Sequence, residues 1–122
     1  MSEKELAIET IKDAINLLEP ISEKKWMRNH FSSQILECCC TLGHYNRLHS
    51  RNPNDYSWDN CCGGNKHYTF GDKLNDAFKL LGQDKLDILN KKYPDVFNEN
   101  LTLCIIDVND HPKINNIKEN IF

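Results

Sequence analysis

Cys40, His44, His49, Cys61, Cys62 and His67 fall within 28 consecutive residues, and thiolate and imidazole are the groups zinc prefers. On a helix, Cys40 and His44 would stand at i and i+4 on one face. With Cys61 and His67 they would supply four ligands for one ion. The spacing is not that of a zinc finger: the chain has no Cys-x-x-Cys pair, and adjacent cysteines such as Cys61-Cys62 rarely bind one metal together. Without a metal, the same cysteines are small, readily buried core residues. The expectation is therefore no cofactor, with a small zinc-binding interaction module as the alternative.

A thiol near a helix N-terminus can also act as a nucleophile, because unpaired backbone N–H groups stabilise the thiolate and a histidine can take the proton. Cys38 or Cys40 with His44, His67 or His111, oriented by Asn109 or Asp110, would supply these parts. Cys40 with His44 is the preferred catalytic pair. Their presence is not an arrangement, since a small domain rich in Cys and His always offers some such pairing.

Arg28, Arg47, His44, Tyr56, Trp58 and Tyr68 combine cationic donors with aromatic faces, as a phosphate joined to a purine would require. Aromatic residues beside a loop also serve to pack it down. Gly63-Gly64 is only a pair, and the chain has neither Gly-x-x-x-x-Gly-Lys-Ser/Thr nor Gly-x-Gly-x-x-Gly, which excludes nucleotide enzymes of those families. Asn109-Asp110-His111-Pro112 reads as a turn and helix entrance, explained by capping chemistry. Asn109 and Asp110 could still lend polar groups to a ligand site built elsewhere.

The elements that must position these residues are mostly helical. Ser2-x-x-Glu5 is a capping box, followed by Ile8, Ile11, Ile15 and Leu18 at helical spacing, so a helix is predicted over 3–19 until Pro20 stops it. Ser32-Ser33 are N-cap candidates for a second helix reaching His49, with Ile35, Cys39 and Leu42 on one face. Residues 50–70 are dense in turn formers and predict one long, ordered loop. Asp72 caps a third helix with Leu74, Ala77, Phe78 and Leu81 inward and Gly82 as its left-handed end. Asp84 opens a fourth, with Leu86, Leu89 and Tyr93 inward. Residues 101–108 fit a buried strand or a helix capped by Asn100 equally well. A final helix after Asp110-His111-Pro112 carries Ile114, Ile117 and Ile121 on one face.

Composition narrows the partners. In 122 residues, 15 basic and 18 acidic side chains give a net charge of −3, with no basic cluster suited to several phosphates, so a nucleic-acid polymer is excluded. The acidic, amphipathic start is not a signal peptide, and no apolar run reaches the roughly 20 residues of a membrane span. A cytoplasmic location with reduced thiols is expected.

Cys40-x-Leu42-Gly43, with Trp26 upstream and Asn109-Asp110-x-Pro112 before an apolar terminal helix, resembles a family of small uncharacterised bacterial and phage proteins. Those proteins carry Cys-Ala-Leu-Gly-Ala-Leu and a late Trp-Asn-Asp-x-Pro-Gly-Arg-Thr. This chain has His44 in place of Ala and Val108 in place of Trp, and it lacks a clean Gly-Arg-Thr. The resemblance implies a helical fold and a shared local role for Cys40, Asn109 and Asp110, without an activity. The sequence thus predicts a single, mostly α domain over 1–122 that acts as a non-enzymatic binding protein. A phage accessory or anti-defence factor of this kind would sequester a nucleotide-like molecule or block a host protein, as a monomer or homo-oligomer. A cysteine-dependent hydrolase or transferase is the alternative.

Overall fold

The computed structural model describes residues 2–30, 32–63, 67–94, 104–111, 114 and 116–121. Its first helix, α1 (Glu3–Leu18), starts where Ser2 Oγ accepts from the Glu5 amide. The inward face differs from the isoleucine series: Ala7, Thr10, Ala14 and Leu18 are buried, whereas Ile8 is exposed. Small side chains at positions 7 and 14 let α1 lie close against α4 (Phe70–Leu81). A 3₁₀ turn at Glu23–Lys25 then leads to Trp26.

Residues 32–39 do not begin a helix. They form a small antiparallel hairpin, β1 (Ser32–Ser33) with β2 (Cys38–Cys39), in which Ser32 faces Cys39 and Ser33 faces Cys38. Ser33 Oγ accepts from the Leu36 amide, a local bond that competes with helix formation, and Glu37 turns through positive φ, 51°. Ile35, expected inward, is 95% exposed at the tip. The helix starts only at α2 (Thr41–Leu48), capped by Cys40. Seven of its residues are buried, so α2 is the central strut of the fold.

The predicted loop contains a helix of its own, α3 (Trp58–Cys62), ended by Gly63 at φ 93°. Asn46 ties both sides of this segment to α2: its Nδ2 donates to the Cys61 carbonyl at 2.9 Å, and its Oδ1 accepts from the Gly71 amide at 2.7 Å. Gly63 has no substitute here, because a Cβ would lie 2.9 Å from Thr69 Cβ and closer still to Thr69 Cγ2, in a left-handed conformation that other residues resist. Gly63→Ala is expected to destabilise the protein by about 2–4 kcal/mol, read as a lower urea midpoint. A change under about 0.5 kcal/mol, the range of ordinary surface substitutions, would show that the close approach of Gly63 to Thr69 is not needed for the fold.

For α4 the cap is Thr69, with Asp72 returning the bond as the third residue of a full capping box. Leu74, Ala77 and Phe78 are buried as the spacing predicts, but Gly82 is right-handed, φ −78°, and joins α4 directly to α5 (Gln83–Lys92). Residues 105–108 belong to a helix, α6 (Ile105–Asp110), so among the described residues the strand alternative fails; 101–103 lie outside them. Asn109 and Asp110 therefore end a helix and do not open one. Pro112 lies outside the described residues, and α7 (Ile117–Ile121) begins later. Glu23 accepts from the Ile117 and Lys118 amides at its start.

One cluster of buried side chains runs through the molecule, including Leu18, Trp26, Tyr45, Leu74, Leu89, Ile105, Val108, Ile114 and Ile121. No helix among the described residues is long and apolar enough to cross a membrane.

Candidate functional site

The N-terminus of α2 is where distant parts of the chain meet. Its first amides need acceptors, and the Cys40 thiol supplies one, its Sγ taking the Gly43 N–H at 3.3 Å. Asn109 supplies the next from α6: its Oδ1 accepts from the Thr41 amide at 3.0 Å and from Thr41 Oγ1 at 2.8 Å. Trp26 Nε1 donates to the same Thr41 hydroxyl at 2.9 Å. The amide end of Asn109 is used as fully, Nδ2 donating to the Met27 carbonyl at 2.9 Å and to Asp110 Oδ1 at 2.8 Å. Asp110 Oδ1 also accepts from the Asn29 amide at 2.8 Å. That bond holds Asn29 at φ 67°, a left-handed position that asparagine tolerates better than most residues.

Around this network lies a cleft of about 110 Å³, lined by Asn29, His30, Cys40, Thr41, Leu42, Ile105, Ile106, Asn109 and Asp110. Its floor is apolar through Leu42 and Ile105, and its rim is polar. Three residues singled out from the sequence, Cys40, Asn109 and Asp110, share it. Asn29, His30 and Thr41 are site residues that the sequence reading missed. Only Asn29 carried a signal, the tolerance of asparagine for positive φ; Thr41 and His30 are placed by contacts that no local pattern encodes.

His44 is not a partner for Cys40. It is fully buried, its Nε2 lies 2.7 Å from the Lys25 carbonyl and its Nδ1 accepts from Arg47 Nε at 3.0 Å. Those partners fix the proton on Nε2 and leave neither nitrogen for an incoming thiol proton. Burial, reinforced by the Arg47 cation and opposed by the bond to Lys25, lowers the His44 pKa to about 3. The Cys40 thiol is pushed the other way, up to about 11, chiefly by burial, although backbone N–H groups of the helix start favour its thiolate. Cys40 is thus a protonated cap at neutral pH. Iodoacetamide should label it slowly at pH 7.5, where little of the thiol is ionised, with a rate rising about tenfold per pH unit. Rapid labelling of Cys40 at pH 7.5, followed by peptide mass mapping, would refute this assignment.

The other predicted groups are dispersed. Arg47 is buried, donates to the Pro53 carbonyl at 2.6 Å and lies over the Tyr56 ring at 4.4 Å, so this pair clamps the 49–57 segment to α2. Trp58 is 63% exposed at the start of α3. Tyr68 donates to Asp76 and borders a separate groove beside α1 and α4. Arg28 is half-buried two residues after Trp26 and does not line the cleft. The proposed phosphate-and-purine set therefore does not form one site.

The zinc set Cys40, His44, Cys61 and His67 is likewise not assembled: among the described residues no three His, Cys, Asp or Glu side chains converge on a metal position. His44 is sealed by its two partners, and the Cys61 sulfur faces Cys39 at 3.3 Å. Compared with known protein families, curated proteins and solved structures, the chain matches none.

Proposed function

We propose that the chain is a non-catalytic binding protein and that the cleft at the start of α2 receives a small, mainly apolar group from a protein partner. The observation that supports this reading is the combination in one cleft of an apolar floor, a polar rim and a disarmed thiol. Such a site can hold a group but has no activated nucleophile to attack it. Its size favours the smaller of the two kinds of ligand expected from the sequence at this cleft. Pockets that enclose drug-sized molecules run to roughly 300–1,000 Å³, so about 110 Å³ suits one inserted side chain and not a nucleotide. Ile106, half-exposed at the cleft's edge, extends the apolar surface such a partner would cover.

Amide NMR titration of the purified protein tests the assignment. Side-chain analogues such as isobutanol and p-cresol should shift Thr41, Leu42 and Ile106 in a saturable way, and adenosine monophosphate should not. Widening of the response over the whole molecule, or a saturable response to the nucleotide at these amides, would overturn it. Turnover of any ligand that depends on Cys40 would replace it with the cysteine-enzyme reading.

A further inference from the structure

Two cysteines outside the cleft are placed for different chemistry. Cys39 in β2 and Cys61 in α3 are both fully buried, 22 positions apart in the chain, with their sulfurs 3.3 Å from one another. Three neighbouring thiols are directed elsewhere. Cys38 Sγ is directed at the Lys24 and Leu36 carbonyls, Cys40 caps α2, and Cys62 Sγ faces the Asp59 carbonyl.

We propose that Cys39 and Cys61 are an oxidisable dithiol, converted by hydrogen peroxide into a disulfide that fastens the hairpin to α3. A disulfide requires about 2.05 Å between sulfurs, so about 1.3 Å must close, shared between two side chains. Both backbones are already held. The Cys39 carbonyl accepts from the Met27 amide and the Cys61 carbonyl from Asn46 Nδ2, each at 2.9 Å.

The surroundings also assign the roles. The Cys61 thiolate is favoured by its bond with Cys39, in which either sulfur can donate, by the Ser32 hydroxyl and by the nearby Arg47 cation, against burial and the Asp55 carboxylate. Cys39 is held protonated, first by that same bond and then by burial. Because Ser32 offers its hydroxyl to Cys61 and not to Cys39, Cys61 is assigned as the attacking sulfur and Cys39 as the resolving one. The Cys61 thiolate attacks one peroxide oxygen, the O–O bond breaks, and the departing hydroxide becomes water, leaving Cys61 as a sulfenic acid. The Cys39 sulfur then attacks the Cys61 sulfur; the S–O bond breaks and the departing hydroxide takes the Cys39 proton. Two thiols lose two electrons and one peroxide becomes two waters.

This inference does not depend on what the cleft binds. Reduced protein is exposed to graded hydrogen peroxide, unfolded in N-ethylmaleimide and weighed intact. Of the six cysteines, two should escape labelling with loss of about 2 Da relative to their reduced mass. Peptide sequencing should map the bond to Cys39 and Cys61, and dithiothreitol should restore all the thiols. The oxidised form should melt roughly 5–10 °C higher, since the bond closes a loop of intermediate length. Cys62→Ser should still form the bond, whereas Cys39→Ser should stop at the Cys61 sulfenic acid. Six labelled thiols after peroxide, a bond mapped to Cys61–Cys62, or sulfinic acid without any disulfide in the unmutated protein would each overturn the assignment.

Discussion

Asn109→Ala should cost about 3–5 kcal/mol of folding free energy, the largest loss expected from a polar substitution among the described residues. Asn109 is only 2% exposed and uses both acceptor and both donor positions of its side chain. Alanine would strand the Thr41 amide and remove an acceptor from the Thr41 hydroxyl, both buried, and would leave the part-buried Met27 carbonyl without its donor. Each buried group left unpaired costs about 1–3 kcal/mol, and the bonds act as one network, so the effects do not simply add. Equilibrium urea unfolding measures it. Asn109→Asp separates the two halves of the side chain, keeping an acceptor for Thr41 while losing the donor to Met27 and facing the Asp110 carboxylate. It should also be destabilised, and more so at neutral pH than in mild acid. A loss below about 1 kcal/mol for the alanine variant, near the average for any point mutation, would mean that α6 is held to α2 by apolar packing alone.

Acid should unfold the protein through His44. Its folded pKa, lowered to about 3, lies below the usual value of about 6.5 that it regains on unfolding. Above pH 6.5 neither state is protonated there and the contribution to stability is complete. As pH falls from 6.5 towards 3, the unfolded chain binds a proton that the folded chain refuses, and stability declines by about 1.4 kcal/mol per pH unit. At pH 4.5 the loss from this residue is on the order of 2–3 kcal/mol. Comparing unfolding free energies against pH for the parent and His44→Gln isolates it, because the variant should be less stable at pH 7.5 yet show a shallower decline into acid. Imidazole NMR gives a second measurement, and a His44 ring that titrates near pH 6 in the folded protein would remove the basis of the expectation.

Residues whose partners lie within one helical turn were legible in the sequence. Leu74, Ala77 and Phe78 are buried as their spacing implies, because α4 packs one clear apolar stripe. Even there the cap shifted from Asp72 to Thr69, since a capping box places an acidic residue three positions inside the helix. The hairpin was illegible for a physical reason: Ser-Ser and Cys-Cys-Cys carry no period that separates strand from helix, and the decisive bond from Leu36 to Ser33 is a matter of turn geometry. In α1 the spacing of Ile11 and Leu18 points to the core as expected, whereas Ile8 is exposed and Ala7 and Ala14 take the contact with α4 by their smallness.

For the site, residue chemistry drew attention to Cys40, Asn109 and Asp110, and the three line one cleft. Their relation was hidden because it spans 68 positions from Thr41 to Asn109, beyond the reach of any local pattern. His44 shows the opposite failure. Its type and its spacing from Cys40 suggested a metal ligand or a base, whereas its burial beneath Trp26 and Tyr56 makes it part of the packing.

The burial of α2 along almost its whole length also sets how the cleft can breathe. Amides released by small fluctuations exchange with deuterium quickly, while those freed only by complete unfolding exchange slowest. Thr41, bonded across the molecule to α6, and Gly43 and His44, bonded to Cys40, should all fall in the slow set when exchange is measured. Asn29 and His30 border the opening on the facing side, away from this slow-exchanging helix. The part of the floor that α2 supplies, Leu42, is expected to be the stiffest element lining the cleft.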